Sequence, residues 1–408
     1  MLAFRIRPRS FVAPLGRLIA AWPRARARAL WAWALCALVL PACAAPSPNR
    51  VAGTAARPAV SAPPARPRAP QKPLIPPKIG RPNPYAVPCP DLDCFMRRLP
   101  RPVAEAARPV LSVIEPKDSV IAAVERPSTA TATWTTFAKN NASDAKADQA
   151  AAFYRRNAAV FDEVERRFGV EKEVILAILA VETNMGRNMG SYRAVDALTT
   201  LSFHHPRRQA MFQDELSHLL RLSYALGRDP GSFKSSYAGA MGMPQFMPTS
   251  YEYYAVDFDG DGFADIWSNP GDVAASVANY LRYFRWRRGE PISLPVRRAN
   301  PQAPLKDLGA LIDKDTDLQA PLAALRFGYG LDFIPVPGID ENTEFGFPYA
   351  LRLDSGESEL RVGLYNFMVI WQYNRSRLYV SAVERLAEKI RARIGARPAA
   401  AAVPSPQP

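Results

Sequence analysis

The sequence predicts a mainly helical α+β domain with a small β-rich part, preceded by a long segment that has no core of its own. Three observations support this fold class. Apolar residues recur at helical spacing over residues 150–284 and again after residue 365. Residues 291–362 instead combine Pro and Gly with short apolar runs such as "YALRL" and "LRVGLY", which are typical of strands. Many of the 40 prolines lie between Pro41 and Pro102, where they favour an extended chain.

The helical part is predicted from five stretches. Residues 150–168 and 209–226 have apolar side chains on one face, and residues 273–284, "VAASVANYLRYF", give a third helix. Between the first two, Val174 to Glu182 places eight apolar side chains directly before a carboxylate, which indicates a buried helix. The stretch that begins at residue 365 again has a helical pattern, which continues to the end of the domain.

The positive charge of the chain belongs to its N-terminal part. The 408 residues have a formal net charge of +14, and residues 1–118 hold 19 basic and 5 acidic side chains. The rest of the chain holds 33 of each and is neutral. A nucleic-acid partner is therefore not expected, because it would need a basic face on the folded domain.

The first residues have the pattern of an export signal. Arginines precede the apolar run "ALWAWALCALVLPACAA", which is short for a membrane span. The run ends in Leu40-Pro41-Ala42-Cys43, which resembles a bacterial lipobox. We therefore expect a lipoprotein signal peptide over residues 1–42 and lipidation of Cys43, with an ordinary cleaved signal peptide as the alternative. Ala44 favours the periplasmic face of the outer membrane; without the lipid the protein would be periplasmic.

Three further segments follow from composition. Residues 43–118, rich in Pro, Ala and Arg, are predicted to be a tether. Residues 119–395 are predicted to be the folded domain, with the β-rich insert at about 291–362, and residues 396–408 a disordered tail. Cys89 and Cys94, in "CPDLDC", are predicted to form a disulfide in an oxidising periplasm; two free thiols are the alternative.

Glu182 is the candidate catalytic residue. It lies near the end of an apolar helix, where burial and the helix dipole both disfavour ionisation and raise the pKa of the carboxyl. A carboxyl with a raised pKa suits a general acid near neutral pH. The alternative is a glutamate that reaches the surface where the core helix ends.

The stretch "SSYAGAMGMPQFMPTSY", residues 235–251, has the composition of a sugar-binding loop. Its glycines let the backbone approach a ligand closely, and Ser236 and Gln245 offer uncharged hydrogen-bonding groups. Aromatic residues of this region are expected to supply flat faces for sugar rings: Phe246, Tyr251, Tyr253 and Tyr254. The alternative is a loop with an aromatic core cluster.

The stretch "DFDGDGFADIWSNPGD", residues 257–272, resembles a calcium-binding EF-hand loop. Asp257, Asp259 and Asp261 stand at the alternating positions that converge on a hard cation, followed by Gly262. The twelfth position is Ser268 instead of Glu, so a ligand from Asp272 would require a longer loop. The alternative is a solvated acidic turn.

Long motifs together resemble the membrane-bound lytic murein transglycosylase B family. They are "VETNMGRNMGSYRAVDALTTLSF", "YAGAMGMPQFMPTSYEYYAVDFDGDGFADIW", "DVAASVANYLRYFRW" and "YNFMVIWQYNRSRLYVSAV". The resemblance covers roughly residues 150–390. It implies a lysozyme-like core and cleavage of the β-1,4 bond between N-acetylmuramic acid and N-acetylglucosamine in peptidoglycan, without water, to give a 1,6-anhydromuramoyl end in cell-wall remodelling.

The resemblance also implies roles for individual residues. Glu182 is expected to act first as acid and then as base. The sugar-contacting positions are Ser236, Gln245, Phe246, Tyr373 and Asn374.

A structural calcium ion is expected at Asp257, Asp259, Asp261, Asp272 and the carbonyl of Phe263, with no organic cofactor. The expected partners are peptidoglycan glycan strands, the outer membrane and cell-wall synthesis or division proteins. A hydrolytic muramidase or a non-catalytic wall-binding lipoprotein are the alternatives.

Overall fold

The structure is a computed structural model in which five ranges of the chain are described. They are residues 71–76, 82–125, 132–298, 306–312 and 316–395. The predicted signal peptide, Cys43 and the predicted tail lie outside these ranges. Within them, no helix combines the length and the apolar character that a membrane span requires.

Helices form most of the described chain. In chain order the α-helices are α1 Leu92–Arg98, α2 Arg101–Leu111, α3 Asp118–Glu125, α4 Trp134–Asn141, α5 Asp144–Arg156, α6 Ala158–Phe168, α7 Lys172–Thr183, α8 Ala194–His204, α9 Gln209–Ala225, α10 Pro248–Tyr254, α11 Pro270–Tyr283, α12 Lys306–Ile312, α13 Tyr365–Tyr373 and α14 Arg377–Gly395. The predicted mainly helical class is confirmed.

The strands are short and pair antiparallel. They are β1 Tyr192–Arg193, β2 Lys234–Ser235, β3 Ser293–Pro295, β4 Arg297–Arg298, β5 Ala320–Pro321, β6 Leu331–Asp332, β7 Phe345–Arg352 and β8 Ser358–Gly363. Strands β1 and β2 form one pair, β4 and β6 another, and the largest sheet has the order β3-β8-β7-β5. Its centre is the β7–β8 hairpin, in which Phe347 faces Gly363 and Arg352 faces Ser358.

Helix α7 lies at the centre of the helical part. Its residues from Val174 to Ala180 are almost fully buried, and α5, α11 and α14 pack against it. A helix enclosed on several sides needs apolar residues all round, so its sequence is a continuous apolar run without a polar stripe.

The β-rich part has a hydrophobic core of its own. Apolar residues from the large sheet and from α12, among them Leu294, Leu308 and Val362, form a cluster separate from the main core. The large sheet falls within the range where strands are predicted, and α12 is an additional helix inside it.

The folded domain begins earlier than the predicted boundary at Ser119. Helices α1 and α2 lie within the predicted tether, and Tyr85 and Phe95 are fully buried in the main core. Pro102 fits the fold because it occupies the first turn of α2, where a missing N–H costs little, whereas Pro109 lies inside the same helix. Val103, Ala107 and Leu111 are buried on one face of this helix, and their spacing of four residues was the signal that the sequence offered.

Cys89 and Cys94 are bonded in this N-terminal part, with their Cα atoms 5.4 Å apart. The side chain of Gln213 on α9 holds the segment in place. It accepts a hydrogen bond from the Cys89 backbone N–H at 2.8 Å and donates one to the Cys89 carbonyl at 2.9 Å. The segment before α1 is therefore linked covalently to α1 by the disulfide and held against α9 by hydrogen bonds.

Candidate active site

The end of α7 is built as a sharp turn. Asn184, Met185 and Gly186 all have left-handed backbone conformations, with φ of 52°, 57° and 80°. The amides of Asn184 and Met185 donate to the carbonyls of Ala180 and Leu179, both at 3.2 Å, which closes the helix. The helix therefore ends at Thr183, one residue after Glu182.

Thr183 connects this turn to the Gly/Met-rich loop. Its hydroxyl donates to the carbonyl of Met243 at 2.9 Å and accepts from the backbone N–H of Gly186 at 3.0 Å. Thr183 is almost fully buried, so these bonds satisfy polar groups that water does not reach. The loop of residues 235–251 is thus held against the end of α7.

Glu182 is partly buried and has an unusual pKa. Burial raises the pKa of its carboxyl from 4.5 to about 7, while a hydrogen bond from Tyr379 and the charge of Lys146 act in the opposite direction. The Tyr379 hydroxyl donates to Oε1 of Glu182 at 2.7 Å. The carboxyl is therefore partly protonated at neutral pH, and its ionised form has a hydrogen-bond donor in place.

Tyr373 brings the last helices and the Gly/Met-rich loop to the same place. Its hydroxyl donates to the carbonyl of Pro244 at 2.5 Å. Its ring lies nearly parallel to that of Tyr379, at 11° with centroids 6.5 Å apart, and Tyr379 contacts Glu182. Glu182, Gln245 and Tyr373 are far apart in the sequence. They come together because Tyr373 contacts Pro244, the residue before Gln245, and Tyr379, which contacts Glu182.

The other polar residues predicted to contact sugars are either partly buried or exposed: Ser236 and Gln245 are partly buried, and Asn374 is exposed. Gln245 has φ of 51°, and its amide nitrogen donates to the carbonyls of Gly242 at 3.0 Å and Met189 at 3.3 Å. The hydroxyl of Ser236 accepts from the amides of Ala238 and Ala240. Asn374 is exposed at the end of α13.

The prediction that aromatic rings of this loop offer faces to sugars is wrong for three of the four. Phe246 is 2 % exposed, Tyr251 9 % and Tyr254 1 %. The Phe246 ring contacts those of Tyr280 and Tyr373, each with centroids 5.9 Å apart. The alternative reading, an aromatic core cluster, applies because large rings gain more by packing against one another than at the surface.

In the acidic loop, residues 257–272, three of the predicted aspartates lie close together. Oxygen atoms of Asp257, Asp259 and Asp272 lie within 4.8 Å of one another. Asp272 is fully buried and accepts hydrogen bonds from the amides of Phe258 and Asp265, at 2.8 and 2.7 Å. Asp261 is outside this cluster, and its Oδ1 accepts from the Phe263 amide at 2.8 Å.

Comparison with known proteins identifies the family. The model of the Transglycosylase SLT domain matches residues 103–388. The chain belongs to this family. The matched region contains Glu182, the Gly/Met-rich loop, the acidic loop and the part of α14 up to Glu388. The resemblance predicted from the sequence motifs is confirmed, and the chain is a peptidoglycan lytic transglycosylase.

Similar proteins include three from Escherichia coli and Pseudomonas aeruginosa. The chain is 34 % identical to the membrane-bound lytic murein transglycosylase B of Escherichia coli over 271 residues, 65 % of this chain and 70 % of that protein. It is 36 % identical to the soluble lytic transglycosylase SltB1 of Pseudomonas aeruginosa, covering 74 % of this chain and 98 % of that one with a TM-score of 0.67. It is 30 % identical to the Escherichia coli lytic transglycosylase Slt35 in complex with calcium, covering 74 % and 93 %, with a TM-score of 0.65.

Two neighbours of Glu182 in this transglycosylase were missed by the sequence analysis. Tyr379 lies six residues after Tyr373 in the motif "YNRSRLYV", so its membership of that motif was the available signal. Lys146 lies on α5, and its ammonium group donates to the carbonyl of Ala180 at 3.0 Å. Burial lowers the pKa of Lys146, while the charge of Glu182 raises it. No pattern in the sequence connects Lys146 with Glu182.

Proposed function

We propose that this transglycosylase cleaves the β-1,4 bond between N-acetylmuramic acid and N-acetylglucosamine with Glu182 as its only catalytic carboxyl. Protonated Glu182 gives its proton to the glycosidic oxygen as the bond from that oxygen to C1 breaks. The resulting carboxylate then takes the proton of the muramoyl 6-hydroxyl, whose oxygen forms the new bond to C1. Water does not enter the balance, and the product is a 1,6-anhydromuramoyl end.

The observation that carries the proposal is the partly buried Glu182, with its pKa raised to about 7 and its hydrogen bond from Tyr379. Such a carboxyl can give and recover a proton near neutral pH. The Tyr379 hydroxyl and the charge of Lys146 favour the carboxylate that exists between the two steps. Ser236, Gln245, Tyr373 and Asn374 are proposed to contact or position the sugars.

The surroundings of Glu182 favour this mechanism over that of a hydrolase. The side chains that act on the pKa of Glu182 are those of Tyr379 and Lys146, and neither is a carboxylate. A retaining or inverting glycosidase would place one roughly 5–9.5 Å away. Asp196, the next acidic residue along the chain, is paired instead with Lys117 at 2.9 Å and Arg193 at 3.5 Å.

The mass of the cleaved product tests the reaction directly. Purified enzyme acting on purified peptidoglycan should release muramoyl ends that are lighter by one water molecule than reducing ends. These ends should also resist reduction by borohydride, because the anhydro ring leaves no free aldehyde. Reducible ends of full mass would identify a hydrolytic muramidase, and the absence of any cleavage would favour a non-catalytic wall-binding protein.

We also propose that the acidic loop binds calcium. The oxygen atoms of Asp257, Asp259 and Asp272 lie close enough together to share one cation, and carboxylate oxygens suit calcium. Asp261 and the carbonyl of Phe263 are proposed as the further ligands. Calcium in the related Slt35 structure supports this proposal. The ion would connect the two ends of the loop, because Asp272 lies in the first turn of α11 while Asp257 and Asp259 lie at the start of the loop.

Calcium should raise the melting temperature of the protein, and chelation should lower it. A ligand at about 100 times its dissociation constant stabilises the folded state by about 2.7 kcal/mol. The double change Asp257→Asn and Asp259→Asn should abolish the calcium-dependent shift in differential scanning fluorimetry. Asp118→Asn, at an exposed position on α3, is the matched control and should keep it. An equal shift in both variants would contradict the proposed site.

We propose further that Cys43 carries a lipid that anchors the protein to the outer membrane. The basic leader, the short apolar run and the segment ending in Cys43 support this, as does the membrane-bound relative. Replacing Cys43 by Ser should move the protein from the membrane fraction to the soluble periplasmic fraction. A variant that stays with the membrane after this change would contradict a lipid anchor at Cys43.

A further inference from the structure

Helix α14 contacts Glu182 with one face and the β-rich part with the opposite face. The Tyr379 hydroxyl donates to Glu182, whereas Ser381 and Glu384, two and five residues later, contact strands of the large sheet. At 3.6 residues per turn, Tyr379 lies about 200° from Ser381 and about 140° from Glu384 around the helix. The contacts with the sheet therefore lie behind the side chain that reaches Glu182.

Glu384 is the centre of a buried polar network between α14 and the sheet. Its side chain is 9 % exposed. Its Oε1 accepts from the Ser293 backbone N–H at 2.9 Å, and its Oε2 accepts from the Ser293 hydroxyl at 2.6 Å and from the Arg361 guanidinium at 3.1 Å. Ser293 belongs to β3 and Arg361 to β8, which are neighbouring strands. One carboxylate of α14 is therefore bonded to two strands.

Tyr349 extends this network to a second position on α14. It lies on β7 and is fully buried, and its hydroxyl lies 3.2 Å from the hydroxyls of both Ser381 and Ser293. Arg361 also donates to the Ser293 hydroxyl, through Nε at 2.9 Å. Buried networks of this kind are rigid, because a shift of one member would leave its partners unsatisfied. The N-terminal half of α14 is therefore fixed to the sheet at Ser381 and Glu384.

Resting on the proposed function, we propose that Glu384 is a positioning residue for the cleavage reaction, which holds α14 so that the Tyr379 hydroxyl stays within hydrogen-bond distance of Glu182. That hydroxyl stabilises the carboxylate that exists between the two proton transfers. Hydrogen bonds weaken steeply when the donor turns away from the acceptor, so a small shift of α14 would change the behaviour of Glu182. The β-rich part thereby acts on the reaction through α14.

A purely structural role of Glu384 makes a different prediction. Loss of one partner of a buried ion pair lowers the stability of the fold wherever it occurs, but it changes Glu182 only if α14 transmits the effect. Tyr379 and Lys146 are the side chains that act on the pKa of Glu182. Burial and then the charge of Glu182 raise the pKa of Tyr373. Glu384 is in neither group, so its influence on Glu182 has to pass through the position of a neighbour.

A double-mutant cycle with the full-length enzyme and a soluble peptidoglycan oligomer separates the two roles. Glu384→Gln should lower kcat roughly three- to tenfold, the factor that one hydrogen bond of ordinary strength represents, with KM unchanged. In the Tyr379→Phe background the same change should cause no further loss, because the bond that Glu384 positions is already absent. Both single variants should move the alkaline limb of the pH profile of kcat/KM to higher pH, because each weakens a bond that lowers the pKa of Glu182.

Ser293→Ala is a second variant, for use if Glu384→Gln does not fold, and it changes no titrating group. It removes the hydroxyl bond to Glu384 and should alter kcat and the pH profile in the same direction by a smaller amount. Glu341→Gln is the matched control. Glu341 also lies in the β-rich part and pairs with an arginine, Arg326, at 2.6 Å, so this variant should keep the wild-type kcat and pH profile.

An equal loss from Glu384→Gln in the wild-type and Tyr379→Phe backgrounds would overturn the proposal. A wild-type kcat and pH profile in both Glu384→Gln and Ser293→Ala would overturn it as well, and so would a Tyr379→Phe variant with wild-type kcat. The mass of the product released by the wild-type enzyme tests the cleavage reaction by itself. A failure of the positioning role is therefore distinct from a failure of the proposed function.

Discussion

Replacing Glu182 by Gln is expected to lower kcat/KM on peptidoglycan by about 10³-fold or more, because an amide can neither give nor take up the proton. The loss should appear mainly in kcat, since Gln keeps the size of the side chain and an oxygen that accepts from Tyr379. Dye release from labelled cell-wall sacculi measures the rate. Co-sedimentation with the same sacculi should show that wall binding is retained.

Glu173→Gln is the matched control for this experiment. It makes the same chemical change on the same helix, at a residue whose carboxylate lies 3.8 Å from Arg391 and has no contact with the candidate site. Its activity should stay near that of the wild-type protein. Lysis by Glu182→Gln at the wild-type rate would refute the assignment of Glu182 and would direct attention to another acid.

The same change is expected to make the protein more stable than the wild type at alkaline pH. The pKa of Glu182 is raised to about 7 in the folded state from 4.5, so between these values the folded protein holds a proton that the unfolded chain has lost. Stability therefore falls as pH rises through this window. Between pH 5 and 8 the fall amounts to about 2–3 kcal/mol, at 1.36 kcal/mol for each pKa unit.

Urea unfolding of both proteins at pH 5 and pH 8 measures this effect. The difference in unfolding free energy between Glu182→Gln and wild type isolates the single carboxyl, because the other titrating groups are common to both. Tyr379→Phe gives the companion result. It removes the hydrogen bond that lowers the pKa of Glu182, so the fall should extend to higher pH. A difference between Glu182→Gln and wild type that does not change with pH would mean that the carboxyl is not desolvated.

Local patterns were sufficient where one segment determines its own structure. The apolar run of α7 predicted a buried helix and placed Glu182 at its end, because a helix enclosed on several sides must be apolar all round. The alternation of Pro, Gly and short apolar runs predicted the strands of residues 291–362. In contrast, proline content alone suggested a tether over residues 92–111, where prolines at the start of helices are compatible with folding.

The sequence by itself determined the family, the single candidate carboxyl and the mainly helical class, since each is written in contiguous motifs. Only the tertiary structure decided which groups surround that carboxyl. Tyr379 and Lys146 reach Glu182 from α14 and α5, and the rings of Phe246 and Tyr254 turn into the core instead of toward a ligand. A pKa depends on desolvation and on charges brought near by packing, and packing joins residues that no local spacing relates.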